Sequence, residues 1–215
     1  MWESIIVFNK DGDQIGFQDR DIFALEQKKY FSEHWEVEFA AWSIGGFLLS
    51  RKGKIRLVKR WNTKESSFLY DKTVWWHMNP WENPHKTLRR ELKEELGIKV
   101  KIAKNEDEFR HFSNTVDLTK RAVMMIMDHD KWLKVQVDPK NAWDLPYERR
   151  FNATIYCWIY EGDFSFDENE AIEWEDIWIE EVCETLTDNP KKYTKSLSDM
   201  MNRYKSRFKD ICNLI

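Results

Sequence analysis

The stretch that decides the fold runs from residue 82 to residue 98 and reads ENPHKTLRRELKEELGI. Asn83 and Pro84 predict the start of a helix, because Asn is a favoured N-cap and Pro is tolerated at the first helical position. Gly97 predicts its end, since glycine readily adopts the left-handed conformation that closes a helix. Within these limits every fourth residue is a leucine that can face a core: Leu88, Leu92 and Leu96.

The acids of this helix are predicted to converge on one face. Glu91, Glu94 and Glu95 stand at positions i, i+3 and i+4, which are neighbours on a helix surface. Neighbouring carboxylates repel one another, and either Arg90 or a bound divalent cation would offset that repulsion. Mg²⁺ takes carboxylate oxygens and bridges to substrate phosphates. A solvated charged surface is the alternative interpretation of such a run.

The wider pattern resembles the Nudix box, G-x5-E-x7-R-E-U-x-E-E-x-G-U, over residues 76–98. The resemblance implies an α+β, or α-β-α sandwich, Nudix fold with a mixed β-sheet between helices. It also implies a hydrolase that uses Mg²⁺, or Mn²⁺, to cleave a diphosphate linkage in a nucleoside diphosphate-X type of substrate. Carried over, the metal ligands are Glu91, Glu94 and Glu95, and Arg90 and Glu94 are catalytic.

Tryptophan replaces glycine at the entrance to the box. The opening glycine falls on Trp76, and Trp75 and Trp81 occupy neighbouring places where many family members carry glycine. With His77 and Glu82, these residues are the predicted substrate-binding set, since an indole can stack on a planar ligand. The alternative is that the rings occlude the loop and the chain is a catalytically silent binding or regulatory module.

The likeness extends to both ends of the chain. Residues 5–16 (IIVFNKDGDQIG), followed by Arg20, and residues 188–194 (DNPKKYT) resemble the isopentenyl-diphosphate-isomerase-like Nudix branch. We therefore expect a single domain over residues 1–215, with an N-terminal β-hairpin at about 1–20 and a C-terminal helix at about 191–214.

Isomerase activity is disfavoured within that branch. The resemblance calls for a cysteine motif where Val74-Trp75-Trp76 stand, and for a histidine upstream that is missing between Trp35 and Trp76. The late Glu-x-Glu motif carries arginine at its second position, Arg150. His77 is retained, and we interpret it as a loop histidine with a structural hydrogen bond rather than as a metal ligand.

Many Nudix enzymes add a late glutamate as a metal ligand or general base. The acidic segment 167–174 (DENEAIEW) resembles that region, and Glu170 is the first choice for a catalytic role. Glu168 and Glu173 are alternatives, and a solvated acidic loop is an equally open interpretation.

Composition limits the classes of partner. A net charge of −4 argues against broad binding to nucleic acid or to anionic membranes. The three cysteines are widely spaced and form no C-x-x-C pair, which indicates a reducing compartment. Without a signal-peptide pattern or a long apolar run, we expect a cytoplasmic protein that acts on a small-molecule diphosphate. A homodimer is left open, as in many relatives.

Alternation and turn residues predict further elements. Strands are expected at residues 3–8, 15–17, 37–49, 55–58, 99–102, 122–127 and 153–160. The rest of residues 105–146 is expected to be an insertion of unassigned structure.

Overall fold

The computed structural model describes residues 4–61, 65–138, 145–166 and 171–215, in which strands and helices are interleaved. The strands are β1 Ser4–Phe8, β2 Gln14–Asp19, β3 Ala40–Leu49, β4 Lys54–Arg60, β5 Tyr70–Asp71, β6 Val74–His77, β7 Lys99–Ala103, β8 Arg121–Val137, β9 Tyr147–Ile159 and β10 Ala171–Trp178. The helices are α1 Arg20–His34, α2 Pro84–Leu96, α3 Glu106–Thr115, α4 Ile179–Asp188 and α5 Lys195–Cys212.

These strands form one mixed sheet. Its main path is β10-β4-β3-β9-β8-β7, in which β3–β9 and β7–β8 are parallel pairs and the other pairs are antiparallel. Strand β3 is the centre of the arrangement. One of its edges pairs with β9 from Ala40 to Leu49, and the other edge is shared in succession by β1, β6 and β4.

Two glycines of β3 allow β6 to pack at that shared edge. In the register, Gly45 pairs with Trp75 and Gly46 with Val74. A Cβ atom at Gly45 would lie 2.6 Å from the Trp75 ring, and one at Gly46 would lie 2.9 Å from the Val74 side chain. Because these two positions of β3 carry no side chain, the bulky residues of β6 can pack beside them.

Each face of the sheet has its own apolar core. The larger core receives Phe23 and Phe31 from α1, Phe109 from α3, and the buried face of α5, which includes Phe208. The core on the opposite face receives the leucines of α2, together with Trp76, Tyr156 and Trp158. The predicted arrangement, a mixed sheet between helices, is confirmed.

The structure also corrects the sequence analysis. The chain leaves the N-terminal hairpin directly into α1, which the sequence did not predict because its buried stripe contains a glutamine, Gln27, between two phenylalanines. In the unassigned stretch lie α3 and a strand β8 that continues to Val137, well past the predicted end at residue 127. Bulges between Ile126 and Asp128 and between Asp130 and Leu133 interrupt the alternation of β8, which hid its length.

Candidate active site

Helix α2 forms with the predicted caps. The side chain of Asn83 accepts a hydrogen bond from the backbone N–H of Lys86 at 3.0 Å, and Pro84 is the first helical residue. Gly97 has a φ of 67° and donates its N–H to the carbonyl of Leu92, so the left-handed closing turn is present. The three leucines are buried against the sheet, which fixes the direction in which the acidic residues project.

Arg90 contacts three glutamates, Glu82, Glu91 and Glu94. Its Nε and Nη2 atoms each donate to one oxygen of Glu82 at 2.9 Å. Its Nη1 atom lies 2.7 Å from Glu91 Oε1 and 3.2 Å from Glu94 Oε2. Thr87 also donates to Glu82, at 2.8 Å. The hydrogen bond from Arg90 is the main reason that the pKa of Glu82 lies below its usual range, so Glu82 is ionised and holds the guanidinium in place.

The acids of α2 differ in their surroundings. Glu91 and Glu95 line a cavity, whereas Glu94 and Glu82 do not. The Glu94 side chain is 59% exposed and that of Glu91 only 14%. Burial raises the pKa of Glu91 to about 7, and the neighbouring carboxylate of Glu95 adds to this shift, while Arg90 opposes it. Glu91 is therefore a carboxylate whose ionised form a cation would stabilise.

Trp76 contacts this cluster directly. Its indole Nε1–H donates to Glu95 Oε2 at 2.7 Å, and its ring is buried in the core beneath α2. The indole of Trp75 points to the other face of the sheet, where it packs edge-to-face on Phe151 with ring centres 5.2 Å apart. Adjacent residues of a strand project to opposite faces, so the two indoles contact different partners, although both tryptophans line the same cavity.

The cavity has a volume of about 630 Å³ and carries opposite charges at different parts of its wall. The acidic part is formed by Glu91 and Glu95 beside Arg90. The basic part is formed by side chains from α1, β4, the β5–β6 connection, β6 and β9: Arg20, Arg60, Lys72, the imidazole of His77 and Arg149.

Most of these basic side chains form ion pairs with acidic residues. Arg60 lies 2.9 Å from Asp71 Oδ2, and Arg149 lies 3.0 Å from Glu65 Oε1. Lys72 is 5% exposed, and its Nζ atom lies 3.1 Å from Asp71 Oδ1. Arg20 is paired as well, since its Nε atom lies 3.5 Å from Asp21 Oδ1.

Lys72 also contacts the start of helix α5, which borders the cavity. Its ammonium donates to Ser196 Oγ at 3.0 Å and lies 4.6 Å from the centre of the Trp75 ring. Burial lowers the pKa of Lys72, and the charge of Asp71 opposes that shift. Thr194, the N-cap of α5, donates its hydroxyl to the same oxygen of Asp71 at 3.0 Å.

His77 lies in the basic part of the wall, with its ring 6.1 Å from that of Phe151. Burial holds the pKa of this imidazole well below its usual range, and the charges of Arg20 and Arg149 add to the effect. His77 is thus neutral at physiological pH and supplies a polar group without a charge.

Other predicted site residues lie elsewhere. Trp81 is 82% exposed and packs on Phe17 of β2, with ring centres 5.5 Å apart, outside the cavity wall. Glu168 and Glu170 fall outside the described residues. Glu173 lies on β10, where it accepts hydrogen bonds from Lys59 at 2.8 Å and from the Tyr70 hydroxyl at 3.0 Å.

Sequence reasoning missed the basic part of the wall. Arg149 directly precedes Arg150, the residue that departs from the isomerase motif. The available signal was alternation: neighbouring arginines of a strand face opposite sides of a sheet. Arg149 enters the cavity, whereas Arg150 bonds to Glu148 at 3.3 Å and lies 6.0 Å from the centre of the Trp132 ring.

The acidic residues have the chemistry that a hard divalent cation requires. Glu91 and Glu95 offer carboxylate oxygens to one cavity, and Mg²⁺ and Mn²⁺ prefer oxygen ligands. Within the described parts of the chain, no three His, Cys, Asp or Glu side chains are already gathered closely enough to form a complete metal site. Substrate oxygens and water complete the coordination of Mg²⁺ at many phosphate-processing sites, so two protein carboxylates are compatible with such a cation.

Solved structures share this fold at low sequence identity. The protein DR0079 from Deinococcus radiodurans aligns with a TM-score of 0.58 and 15% identity, over 94% of this chain and 98% of its own. The MutT protein from Methanosarcina mazei aligns with a TM-score of 0.50 and 16% identity, over 78% of this chain and 94% of its own. A Nudix hydrolase from M. smegmatis, RenU, has a TM-score of 0.45 at 10% identity, over 79% and 86% of the two chains.

No protein-family model and no curated protein sequence matches the chain. The structural likeness and the box together show that the chain has the Nudix fold. Its relation to the isopentenyl-diphosphate-isomerase-like branch stays a prediction. No helix in the described ranges is both long and apolar enough to cross a membrane.

Proposed function

We propose that the protein is a Mg²⁺- or Mn²⁺-dependent hydrolase that cleaves a diphosphate linkage in a nucleoside diphosphate-X type of small molecule. One observation carries the proposal: a single cavity joins the carboxylates of Glu91 and Glu95 to a basic wall formed by Arg60, Lys72 and Arg149. Acids suited to a cation thus line the same cavity as bases suited to phosphate oxygens.

The size of the cavity supports a small-molecule substrate. Its volume of about 630 Å³ lies within the roughly 300–1,000 Å³ that is usual for small-ligand pockets. A diphosphate has several anionic oxygens, and arginine side chains bind such groups through paired N–H donors.

The residues of α2 would prepare the reacting end. When bound, a divalent cation neutralises charge on phosphate oxygens and acidifies a coordinated water. Glu91 and Glu95 would hold that cation, and Arg90, itself fixed by Glu82, would orient Glu91 and Glu94. Glu94 remains a predicted metal ligand and catalytic residue on this helix, with Glu170 as the predicted late glutamate.

A catalytically silent binding module is the second candidate. The observation that favours it is Trp76, which stands in the place of the box glycine and occupies one oxygen of Glu95. Against it stand the partly buried carboxylate of Glu91 and the basic wall, because a site without phosphate or metal chemistry gains nothing from either.

Isomerase chemistry has little support in the cavity. The described chain includes all three cysteines, and none of them lines the cavity wall. Cys157 is fully buried in the core, and burial raises its pKa to about 12. A thiol of this kind is unsuited to acid–base work at neutral pH.

The test is a hydrolysis screen with Mg²⁺ across nucleoside triphosphates, dinucleoside polyphosphates, nucleotide sugars, coenzyme A, NADH and prenyl diphosphates. We expect release of phosphate, pyrophosphate or a nucleoside monophosphate from at least one of them, abolished by EDTA and by Glu95→Gln or Glu94→Gln. Glu184→Gln on the exposed side of α4 is the control for loss of one negative charge. Full turnover in Glu94→Gln and Glu95→Gln would refute the catalytic assignment. Tight binding of a substrate without turnover would favour the binding module.

A further inference from the structure

The tryptophan at the start of the box is in direct contact with one of its acids. Trp76 is 6% exposed, and its Nε1–H donates to Glu95 Oε2 at 2.7 Å. Both partners line the cavity, so the hydrogen bond lies at the wall and not deep in the core.

The donor is held in place at its backbone and at its ring. The backbone of Trp76 pairs with Ile44 in the sheet, and the ring packs against the α2 leucines. An indole has a single N–H donor, which points in the plane of the ring. With the ring fixed, the direction of the hydrogen bond is fixed as well.

The acceptor lies in the last turn of α2. A glutamate side chain has considerable rotamer freedom, and ordering it costs free energy that a bound ligand would otherwise have to supply. A hydrogen bond from a buried indole reduces that freedom before any ligand arrives. A carboxylate has about four lone-pair positions, so it can accept an indole N–H and contact a cation at the same time.

We infer that Trp76 is a positioning residue for the divalent cation, acting through Glu95. The inference rests on the proposed function and assigns Trp76 a role different from that of a ring on which the substrate stacks. Hydrogen-bond donors that orient metal-binding side chains typically contribute about 10–100-fold to metal affinity. Tryptophan in the place of glycine thus becomes part of the metal site instead of an obstacle to it.

The test compares two tryptophans of the same core. Trp76→Phe removes the N–H donor and keeps an aromatic ring. Trp158→Phe is the matched control, because Trp158 is fully buried in the same core and its Nε1 has no hydrogen-bond partner within the described residues. Trp76→Gly would restore the family residue, but it would also leave a large void beneath α2 and is not a clean test.

Binding of Mn²⁺ is measured by electron paramagnetic resonance, independently of turnover. We expect Trp76→Phe to weaken Mn²⁺ binding about 10–100-fold, with Trp158→Phe equal to wild type. In the wild-type protein, the ¹⁵N-indole NMR signal that Trp76→Phe deletes should shift when Mg²⁺ is added, while the Trp158 signal stays in place.

Equal Mn²⁺ affinity in folded Trp76→Phe and wild type would overturn the inference. If Trp76→Phe fails to fold, the indole signal of Trp76 is assigned in the wild-type protein from its NOE contacts, and a signal that does not respond to saturating Mg²⁺ has the same meaning. If either result is found while the wild-type protein hydrolyses a substrate with Mg²⁺, the role of Trp76 is refuted and the proposed function still stands. A wild-type protein that binds no Mn²⁺ and hydrolyses nothing refutes the proposed function, and the inference with it.

Discussion

Arg90 and Glu82 are joined by two hydrogen bonds of 2.9 Å each, between the loop that precedes α2 and the helix itself. The pair is shielded, with side-chain exposures of 28% for Arg90 and 14% for Glu82. Two-point contact of this kind requires the planar fork of a guanidinium. Because the same arginine contacts Glu91 and Glu94, the pair fixes the geometry of the helix acids relative to the loop.

Arg90→Lys should therefore disable the site without removing a charge. An ammonium cannot bridge both oxygens of Glu82 and still reach Glu91. We expect kcat on a substrate found in the screen to fall about 10–100-fold, as for other residues that orient metal-binding groups. The free energy of unfolding, measured in urea, should fall by about 1–2 kcal/mol. Arg89→Lys, on the exposed side of α2, is the control; an equal loss in both variants would contradict the role of the pair.

Gly45→Ala should destabilise the protein through Trp75. The added Cβ would lie 2.6 Å from the Trp75 ring and 3.3 Å from the Ile155 side chain, so the ring has to move. Overpacking of this kind costs about 1–3 kcal/mol, which urea unfolding will show. In a Trp75→Leu background the same glycine substitution should cost less, because the smaller side chain removes the clash. Equal costs in the two backgrounds would rule out the packing argument.

The parts predicted well from the sequence are those with strong local signals. Helix α2 begins and ends at its predicted caps, because Asn83, Pro84 and Gly97 act on the backbone next to them. Strands β1, β3, β4, β7 and β9 lie where alternation or a long apolar run predicted them, although β9 starts earlier than expected. The Nudix fold followed from the box, whose spacing is specific.

The parts that were missed depend on partners distant in sequence. Helix α1 is stable because Phe23 and Phe31 pack into the core formed with β9 and α5, and its own periodicity is weak. The basic wall of the cavity joins residues from β4, the β5–β6 connection and β9, which only the folded sheet brings together. The role of Trp76 was equally hidden, since Glu95 lies 19 positions further along the chain.

Asp71 should make the stability sensitive to acid. Burial alone would raise the pKa of this carboxyl, but Lys72 and Arg60 outweigh that effect and lower it to about 2. A folded-state pKa below the unfolded value of about 3.8 means that the ionised carboxylate stabilises the fold. This contribution is complete above pH ~4 and is lost as the pH falls through about 2. From the difference between the two pKa values, it amounts to about 2 kcal/mol.

The measurement is the free energy of unfolding in urea between pH ~5 and ~2, compared for wild type and Asp71→Asn. Other carboxyl groups titrate over the same pH range. The quantity of interest is therefore the difference between wild type and Asp71→Asn in how steeply the free energy of unfolding changes with pH. We expect a shallower loss of stability in Asp71→Asn, which is also less stable at pH ~5 because Lys72 loses its buried partner. Parallel curves would show that Asp71 does not carry this linkage.

Arg149→Gln should weaken binding of the anionic part of the substrate. Arg149 enters the basic wall, and its Nε atom is buried without a hydrogen-bond partner among the described residues. A guanidinium in this wall is the kind of group that binds phosphate oxygens, whereas Arg150, whose Nε atom is also buried without a partner among the described residues, does not line the cavity. We expect KM to rise about tenfold with a smaller change in kcat, since a contact made equally in the ground and transition states affects mainly binding. The loss should diminish at high ionic strength, where screening already weakens the wild-type contact. Arg150→Gln removes the same charge from the opposite face of β9 and should leave KM unchanged; an equal rise in KM for both variants would show that overall charge, and not the cavity wall, sets the affinity.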